Sequence, residues 1–371
     1  MSRASIFKVP ALRFPEFSGK WEQCQIKDFG KVITGSTPPT SKTEFYDNGV
    51  FLWASPADLG NVKDVISTKT KLSQQGFDKC RKIPAHSILV TCIGSTIGKM
   101  GMATTEMATN QQINSIIPID CSPDYVYYSI QSRFPKYITS IATQAVPILS
   151  KSVFESLDSY KTSIEEQNKI GKLLHLLDER IDAQSKIIEE QETLLKSLAD
   201  SLISSKVANM ALYDCVVARS SAMKESELEN SGPFPVFGAS GLCGYSNEAL
   251  EESDSILVTK DGSGVGTCQY ATGAHSFLGT LCSLTAKEGV YLPYVYYALL
   301  NFNFASFKTG LAIPHIYFKD YGKAVIYCPS YDEQVRIASG LEKIEAKIKS
   351  DKELLKQYQL QKEYLLSRMF I

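Results

Sequence analysis

Two glycine-bounded segments come nearest to a nucleotide-binding motif in this chain. Gly94-Ser-Thr-Ile-Gly98-Lys99-Met100 has the glycines and the lysine of a phosphate-binding loop, but it is one residue too short between the glycines. It also has Met100 where a Ser or Thr hydroxyl would bind magnesium. Its counterpart, Gly262-x-Gly264-x-Gly266, lacks that lysine and does not have dinucleotide-binding spacing. Both segments are predicted to be tight turns that connect strands.

The other polar residues show no pattern typical of a catalyst. Four histidines are scattered, nine cysteines form no Cys-x-x-Cys pair, and the spacing suggests no Ser/His/Asp or Cys/His arrangement. Thr37-Pro38-Pro39-Thr40 lacks the polar first residue and the aromatic last residue with which an adenine methyltransferase grips a flipped base. We therefore expect no catalytic residue, no metal site and no bound cofactor. The cysteines are interpreted as buried, reduced thiols.

Basic and amide side chains on loops beside small-residue turns are the remaining candidates for chemistry. Lys and Arg suit contacts with phosphate, while Asn and Gln suit bidentate hydrogen bonds to adenine. An ordinary solvated surface role is the alternative for each of them. The candidate DNA contacts are Lys63, Lys69, Lys71, Lys79, Arg81, Lys82, Lys99, Asn110 and Gln111 in the first half of the chain, and Lys260, Ser263, Lys308, His315 and Lys319 in the second.

The charge is balanced overall but not regionally. The net charge is −1, which argues against a protein that coats nucleic acid without sequence preference. Residues 1–160 carry 17 Lys and Arg against 13 Asp and Glu, whereas residues 209–329 carry 7 against 11. No apolar run reaches 18 residues and no signal-peptide segment opens the chain, so we expect a cytoplasmic protein without membrane contact.

An internal repeat predicts the architecture. Ser87-Ile-Leu-Val-Thr-x-x-Gly-Ser-x-x-Gly98 reappears from Ser255 to Gly266. Three further motifs recur at nearly the same offset, which chance does not maintain. These are Tyr125-Val-Tyr-Tyr128 with Tyr294-Val-Tyr-Tyr297, Ala145-Val-Pro147 with Ala312-Ile-Pro314, and Glu166-Gln167 with Glu333-Gln334.

A long helix is predicted after each copy of the repeat. From Gln167 to Leu202, apolar and Gln residues recur in steps of three and four, which is the seam spacing of a coiled coil. Ser163–Ala208 would form a rod about 60 Å long at 1.5 Å per residue, and the same seam continues from Ile337 to Met369. The predicted spacer or subunit-interface residues are Gln167, Ile170, Leu174, Leu177, Ile181, Gln334, Ile337, Leu341, Ile344 and Ile348.

The two seams must be buried, and antiparallel pairing within one chain would bury both. That pairing would relate the two globules by a pseudo-twofold axis, with polar seam residues fixing the register. Parallel pairing between two chains remains the alternative. The predicted fold is α+β: a mixed domain at 1–160, a spacer helix at 161–208, a second mixed domain at 209–329 and a second spacer helix at 330–371.

Several segments resemble the specificity subunit of a type I restriction–modification system, and the resemblance covers essentially the whole chain. Ser87–Gly98 is similar to one of its target-recognition motifs. The second globule has no clear copy of the segments Leu12–Phe17 and Gly35–Pro38. Its net negative charge is unfavourable for a DNA-binding domain. The other similar segments are Leu12-Arg13-Phe14-Pro15-Glu16-Phe17 with Trp21, Gly35-Ser-Thr-Pro38, Pro233-x-Pro-Val-Phe-Gly-Ala-Ser-Gly241, Ile164-Glu-Glu-Gln167-x-x-Ile170 and Asp332-Glu-Gln334-x-x-Ile337.

This resemblance implies a non-catalytic subunit that binds double-stranded DNA. Each globule would recognise one half of a split sequence, and the helices would set the gap and dock two methyltransferase subunits. Those subunits would bring S-adenosylmethionine, and restriction subunits would bring ATP and magnesium chemistry. The alternative function is a coiled-coil adaptor that binds proteins instead of DNA.

Overall fold

The computed structural model describes residues 9–60, 62–139, 148–310 and 313–371, which form an α+β protein. The chain divides into two compact units: unit 1, comprising Met1–Ser185 and Leu354–Ile371, and unit 2, comprising Lys186–Glu353. The repeat residues Ala145-Val-Pro147 and Ala312 lie outside the described residues.

Unit 1 contains eleven described strands and three short or medium helices. The strands are β1 (Glu22–Gln25), β2 (Gly30–Thr34), β3 (Phe51–Ala54), β4 (Asp64–Val65), β5 (Thr70–Leu72), β6 (Lys82–Ile83), β7 (Ile88–Thr91), β8 (Met100–Ala103), β9 (Met107–Thr109), β10 (Ile113–Pro118) and β11 (Asp158–Lys161). The helices are α1 (Gln74–Asp78), α2 (Pro123–Thr139) and α3 (Lys151–Ser156).

These strands form two main sheets and one two-stranded ribbon. The five-stranded sheet has the order β2-β10-β7-β8-β4, the four-stranded sheet has the order β5-β3-β9-β6, and β1 pairs with β11. Every residue of β7 is buried, as its continuous apolar run predicts for an inner strand. Helix α2 covers this region with Tyr125, Val126 and Tyr128, and Trp21 and Phe370 join the same core.

The first spacer helix, α4 (Ile164–Ala199), continues into a π-helical turn at Asp200–Ser204. Its predicted end is wrong by a few residues, and the seam also changes phase there. Ala199 and Ile203 are buried, whereas the predicted seam residue Leu202 is 37% exposed. Ala199 is the last residue of α4, so the buried face has already left the predicted positions where the π-helical turn begins.

Unit 2 repeats most of this architecture with fewer described strands. Its strands are β12 (Met210–Ala211), β13 (Val216–Ser220), β14 (Phe234–Gly238), β15 (Gly241–Ser246), β16 (Ser255–Thr259), β17 (Cys268–Ala271), β18 (Ser276–Phe277), β19 (Leu281–Ala286) and β20 (Val325–Ile326). Its helices are α5 (Leu212–Cys215), α6 (Leu292–Leu300) and α7 (Phe318–Tyr321), and the second spacer helix is α8 (Tyr331–Met369).

The two units share one topology. The order β13-β19-β16-β17 in unit 2 matches β2-β10-β7-β8 in unit 1, and β12 pairs with β20 as β1 pairs with β11. The two units share one parallel pair of equivalent strands, with Trp53 opposite Ala108 in β3 and β9, and Val236 opposite Ser276 in β14 and β18, and unit 1 also pairs β4 with β8 in parallel. The offset in residue number between equivalent positions is therefore larger for β3 and β14 than for β9 and β18. This change of offset is why the start of the second globule could not be located from sequence.

The spacer helices pair in an antiparallel manner within the chain, as predicted. In unit 1, Lys362 Nζ lies 2.6 Å from Asp178 Oδ1, and Arg180 lies over the ring of Tyr358. Rising residue numbers in α4 thus meet falling numbers in α8. In unit 2, Gln191 Nε2 donates to Asp351 Oδ2 at 2.8 Å. This buried polar pair is of the kind that fixes the register of a coiled coil.

Candidate nucleic-acid interface

A buried ion pair anchors the start of α4 to unit 1. Glu166 is only 1% exposed, and its carboxylate accepts two hydrogen bonds from the Arg13 guanidinium at 2.6 and 2.7 Å. Trp21 Nε1 donates to the same carboxylate at 3.2 Å. The Arg13–Trp21 segment, which resembles the family's N-terminal motif, therefore positions the spacer helix. Sequence reasoning did not assign this role, because the partners are 153 residues apart.

One glutamine performs the same task at the start of each spacer helix. Gln167 accepts a hydrogen bond from Ser122 N at 3.1 Å and donates to Thr162 O at 2.7 Å. Gln334 accepts from Tyr291 N at 2.9 Å and donates to Pro329 O at 2.9 Å. The seam spacing predicts both glutamines between the two helices, but their side chains bond to backbone groups of the globules. They link each helix to its own globule.

The other predicted spacer residues are packed within the chain. Ile170, Leu174, Leu177, Ile337, Leu341 and Ile348 are buried, while Ile181 and Ile344 are half-buried. The buried members therefore stabilise the helices and offer little surface to a partner. Exposed apolar residues are found at other positions of α4, including Ile187 at 43% and Leu194 at 49% exposure. The heptad pattern does not distinguish these residues from the seam.

Three loops of unit 1 meet to form a surface that we call the first rim, defined by residues 34–38, 79–82 and 109–112. Ser36 N donates to Thr109 O at 2.8 Å, and Arg81 N donates to Ser36 Oγ at 2.9 Å. The Arg81 guanidinium also donates to Thr34 O at 2.8 Å, and the Thr37 hydroxyl donates to the Gln111 side chain. Five of the predicted DNA contacts are thus brought together: Lys79, Arg81, Lys82, Asn110 and Gln111.

The amide side chains of the first rim are held in place by one another. Asn110 is buried; its Oδ1 accepts from Gln112 N at 2.8 Å, and its Nδ2 lies 3.1 Å from Gln112 Oε1. Asn110 N also donates to Ala54 O at 2.9 Å. Asn110 therefore shapes the loop, whereas the Gln111 side chain is exposed and available to a ligand.

Charge is distributed unevenly along the first rim. The Lys82 ammonium lies 2.7 Å from Asp78 and 4.6 Å from the centre of the Phe77 ring. The hydrogen bond between Lys82 and Asp78 lowers the pKa of the carboxyl group and raises the pKa of the ammonium group. Among the described residues, Lys79 and Arg81 form no such ion pair, so they offer the less neutralised charges. Lys69 and Lys71 are also exposed, on and beside β5.

Lys63 does not belong to this surface, and this corrects its prediction as a DNA contact. It is 7% exposed, and its Nζ lies 2.6 Å from Asp124 Oδ1 and 2.6 Å from His175 Nδ1. The residue therefore connects α2 to α4 inside unit 1. Lys99 lies apart from the rim as well; it is half-buried, and its side chain covers Gly60.

The glycine-bounded segments are tight turns in both units, as predicted. Gly98 N donates to Thr91 O at 2.9 Å, and Gly266 N donates to Thr259 O at 2.9 Å. These glycines have φ angles of +93° and +91°. A Cβ atom would lie 2.7 Å from the Phe134 ring in one unit and 2.7 Å from Phe304 in the other. Both positions therefore require glycine for conformation and for space.

A second set of loops meets at the turn of unit 2. Gly262 N donates to Pro314 O at 3.0 Å, and His315 exchanges backbone hydrogen bonds with Thr309 at 2.8 and 2.9 Å. The His315 ring lies 5.2 Å from that of Tyr317. Ser263 and Lys308 are exposed on these loops, and Lys260 and Lys319 line an adjoining cleft. The five predicted residues of unit 2 therefore lie on neighbouring segments.

The thiols differ in environment, and a hydrogen bond with Cys215 lowers the pKa of Cys328 to about 7. All nine cysteines are free, and burial raises the pKa of Cys92 and Cys268 to about 12, which keeps them protonated at neutral pH. The expectation that the cysteines are buried does not hold for Cys243, which is exposed. Across the described ranges, no group of three His, Cys, Asp or Glu side chains could hold a metal ion. In the same residues, no helix is long and apolar enough to cross a membrane.

The fold defines a tandem α+β protein with two long spacer helices. A sequence model of the family described as "Type I restriction modification DNA specificity domain" matches residues 18–193 and 206–359, which is most of the chain. The chain therefore belongs to this family and carries two of its domains.

Individual relatives match shorter stretches. The HindI specificity subunit of Haemophilus influenzae is 36% identical over 151 residues, and the MjaIX specificity subunit of Methanocaldococcus jannaschii is 30% identical over 186 residues. These matches cover 39% and 48% of this chain, and 32% and 42% of the relatives. The matched segments thus span less than half of the length of either relative.

Solved structures are similar over nearly the whole chain. The S subunit of a type I restriction–modification system from M. genitalium covers 98% of this chain and 99% of its own, with a TM-score of 0.70 and 18% identity. A chain from a structure describing complex assembly and conformational transition of the type I R-M system covers 94% and 97%, with a TM-score of 0.56 and 14% identity. At these identities the likeness establishes the fold.

Proposed function

We propose that this chain is a non-catalytic subunit that gives a type I restriction–modification complex its DNA sequence specificity. Unit 1 would bind one half of a split DNA site and unit 2 the other half. The observation that carries this proposal is the presence of two specificity domains with one topology but different loop side chains. A protein-binding adaptor would not need such different loops on a shared backbone.

The first rim supplies the chemistry that unit 1 needs. The guanidinium of Arg81 and the ammonium of Lys79 can bind phosphate, and Gln111 can donate and accept at a base edge. The loops are connected by backbone hydrogen bonds, so the side chains are held in place before binding. Unit 2 would use the loops around its glycine turn, which carry Ser263, Lys308 and His315.

The partners follow from the same proposal. Two methyltransferase subunits would dock on the spacer helices, where exposed Ile187 and Leu194 lie two helical turns apart on the same face. These subunits would supply S-adenosylmethionine and flip the target adenine. Restriction subunits would add ATP and magnesium chemistry. We assign none of these cofactors to the chain itself.

Mapping methylated adenines tests this function directly. The chain would be expressed with its methyltransferase subunit in a host without other adenine methylation, and the modified sequences would be read genome-wide. We expect one split motif with a fixed gap. A second strain would carry residues 210–329 from a relative, and there only one half of the motif should change. Methylation without a motif, or a change in both halves, would contradict the proposal.

A further inference from the structure

Unit 2 contains a basic cleft that brings together two of the predicted DNA contacts, which are 59 residues apart in the sequence. Lys260 and Lys319 line a cavity of about 430 Å³ together with Ser220, Tyr213, Tyr317 and Phe318. Two lysines converge here although residues 209–329 carry four more acidic than basic side chains. The cleft is therefore a local exception to the charge of its unit.

The backbone fixes the position of Lys260. Its N–H donates to Thr280 O at 2.9 Å, and its carbonyl accepts from Ile316 N at 2.9 Å. The Lys260 side chain lies near the Cys282 thiol on the cleft floor. Burial raises the pKa of that thiol, and the positive charge of Lys260 lowers it. The backbone of Lys260 is thus held at a defined place directly after β16, an inner strand of its sheet.

Aromatic rings shape the opposite wall. The Lys319 ammonium lies 5.1 Å from the centre of the Tyr317 ring, and the Tyr213 and Phe318 rings pack edge to face at 4.8 Å. These contacts hold Lys319 near the mouth of the cleft by a cation–π attraction. The hydroxyl groups of Tyr213, Tyr317 and Ser220 line the cleft and add neutral hydrogen-bond donors.

Neither lysine is neutralised by the protein. The cleft lining contains no carboxylate, and within the described residues no Asp or Glu oxygen lies within 4.0 Å of either ammonium group. Two unpaired cations close to low-dielectric walls attract an anion more strongly than exposed lysines do. A partner with a negative group would neutralise them.

The equivalent place in unit 1 lacks these charges. Cys92 N donates to Gln112 O at 2.8 Å and its carbonyl accepts from Leu149 N at 2.8 Å, so Cys92 occupies the position of Lys260. By the same alignment, Ser152 corresponds to Lys319. Unit 1 instead carries its unpaired charges on the first rim. The cleft is therefore a feature of unit 2 and not of the shared fold.

We propose that the Lys260–Lys319 cleft binds a phosphate group of the DNA half-site contacted by unit 2. This rests on the proposed function. The two ammonium groups would flank the phosphate oxygens, and the aromatic wall would pack against the adjoining sugar. Such a contact carries affinity and position but no sequence information. It would allow an acidic domain to bind a polyanion.

The salt dependence of DNA binding tests this assignment in the complete complex with its methyltransferase subunits. Each lost phosphate contact reduces the slope of log K against log salt by about 0.9, so K260M/K319M, which removes the contact with one phosphate, should reduce it by about 0.9. The methylated motif should stay the same. K260R/K319R keeps both charges and should retain the slope, and K323M, which removes an exposed lysine outside the cleft, serves as the matched control.

The outcomes separate this proposal from the proposed function. An unchanged slope in K260M/K319M, while the wild-type complex methylates its motif, would overturn the phosphate assignment. A changed motif would also overturn it, because it would show base recognition. If K260M/K319M lowers the melting temperature, the test rests on K260R/K319R, which keeps both charges. A reduced salt slope in K260R/K319R would then contradict phosphate binding. A wild-type complex that binds DNA without any motif refutes the proposed function, and the slope on that DNA still tests the cleft.

Discussion

The two units have the same strand order but different side chains at equivalent loop positions. Backbone hydrogen bonds align Asn110 with Leu278, since these residues bond to Ala54 and Phe237 respectively, and they align Gln112 with Thr280. Amide groups in unit 1 are thus replaced by an apolar side chain and a hydroxyl in unit 2. Different functional groups at matching positions allow one scaffold to recognise different sequences.

The charges differ in the same way. In unit 1, Ile83 pairs with Met107 directly after the basic segment 79–82. In unit 2, Glu251 and His275 form the matching bridge, and Ala249 and Leu250 precede it where Arg81 and Lys82 stand in unit 1. Unit 2 therefore lacks this basic segment, and two of its cations, Lys260 and Lys319, line the cleft instead. The shared topology determines where loops are found, and local sequence determines what they bind.

The largest expected effect is on the distance at which the two units act. A heptad inserted in both helices, after Ser185 in α4 and after Leu355 in α8, preserves the seam and leaves the core of each unit unchanged. Seven residues add about 10 Å, which corresponds to about 3 base pairs. We expect the gap between the methylated half-sites to lengthen, as read by methylation mapping.

An insertion after Leu198 alone is the contrasting variant. It disturbs the pairing of the helices on one side only, so it should abolish assembly or alter the gap irregularly. Size-exclusion chromatography with the methyltransferase subunit measures the assembly. An unchanged gap in both variants would eliminate the idea that the helices act as a ruler.

The two helix starts should differ strongly in stability. Arg13→Met leaves the buried Glu166 carboxylate without its partner, and we expect a loss of about 3–5 kcal/mol in the free energy of unfolding. Arg336→Met removes an exposed partner of Glu333, the residue equivalent to Glu166, and should cause no measurable change. Denaturant unfolding compares the two. Equal losses would show that the ion pair in unit 1 is no more important than a surface pair.

The first rim should affect binding and not folding. Replacing Lys79, Arg81 and Lys82 with Met should weaken binding at all sites and reduce the salt slope by up to about 2.7, since three phosphate contacts could be lost. Lys63→Met should leave the salt slope of DNA binding unchanged. Its free energy of unfolding should fall by about 1.5–3 kcal/mol because charged hydrogen bonds are lost. A normal slope in the triple variant would remove this loop from the interface.

The smallest difference is expected at the two anchoring glutamines. Gln167→Ala and Gln334→Ala each leave a backbone N–H without its acceptor, at Ser122 or at Tyr291, with an expected cost of about 1–3 kcal/mol. The two losses should be similar because the contacts are equivalent. Thermal unfolding of both variants checks this. A loss at only one position would show that the two junctions, although geometrically alike, are not energetically equivalent.

Local sequence patterns were sufficient for much of this architecture. The heptad spacing predicted both spacer helices, and the repeated strand motif predicted two similar α+β units. Both predictions depend on periodicity, which a single segment carries by itself. The glycine turns were also predictable, because their short spacing excludes a phosphate loop and suits a positive φ angle. The resemblance to the specificity family depended on the order of such motifs.

The fate of individual polar residues was decided by tertiary structure. Lys63 and Lys79 look alike in sequence, yet one is buried between Asp124 and His175 and the other is exposed on the first rim. The rim itself joins residues 34–38, 79–82 and 109–112, which no local pattern connects. The sequence by itself therefore determined the repeat, the helices and the family, because these are local or periodic. Only folding decided which charges are neutralised inside the units and which remain exposed on loops.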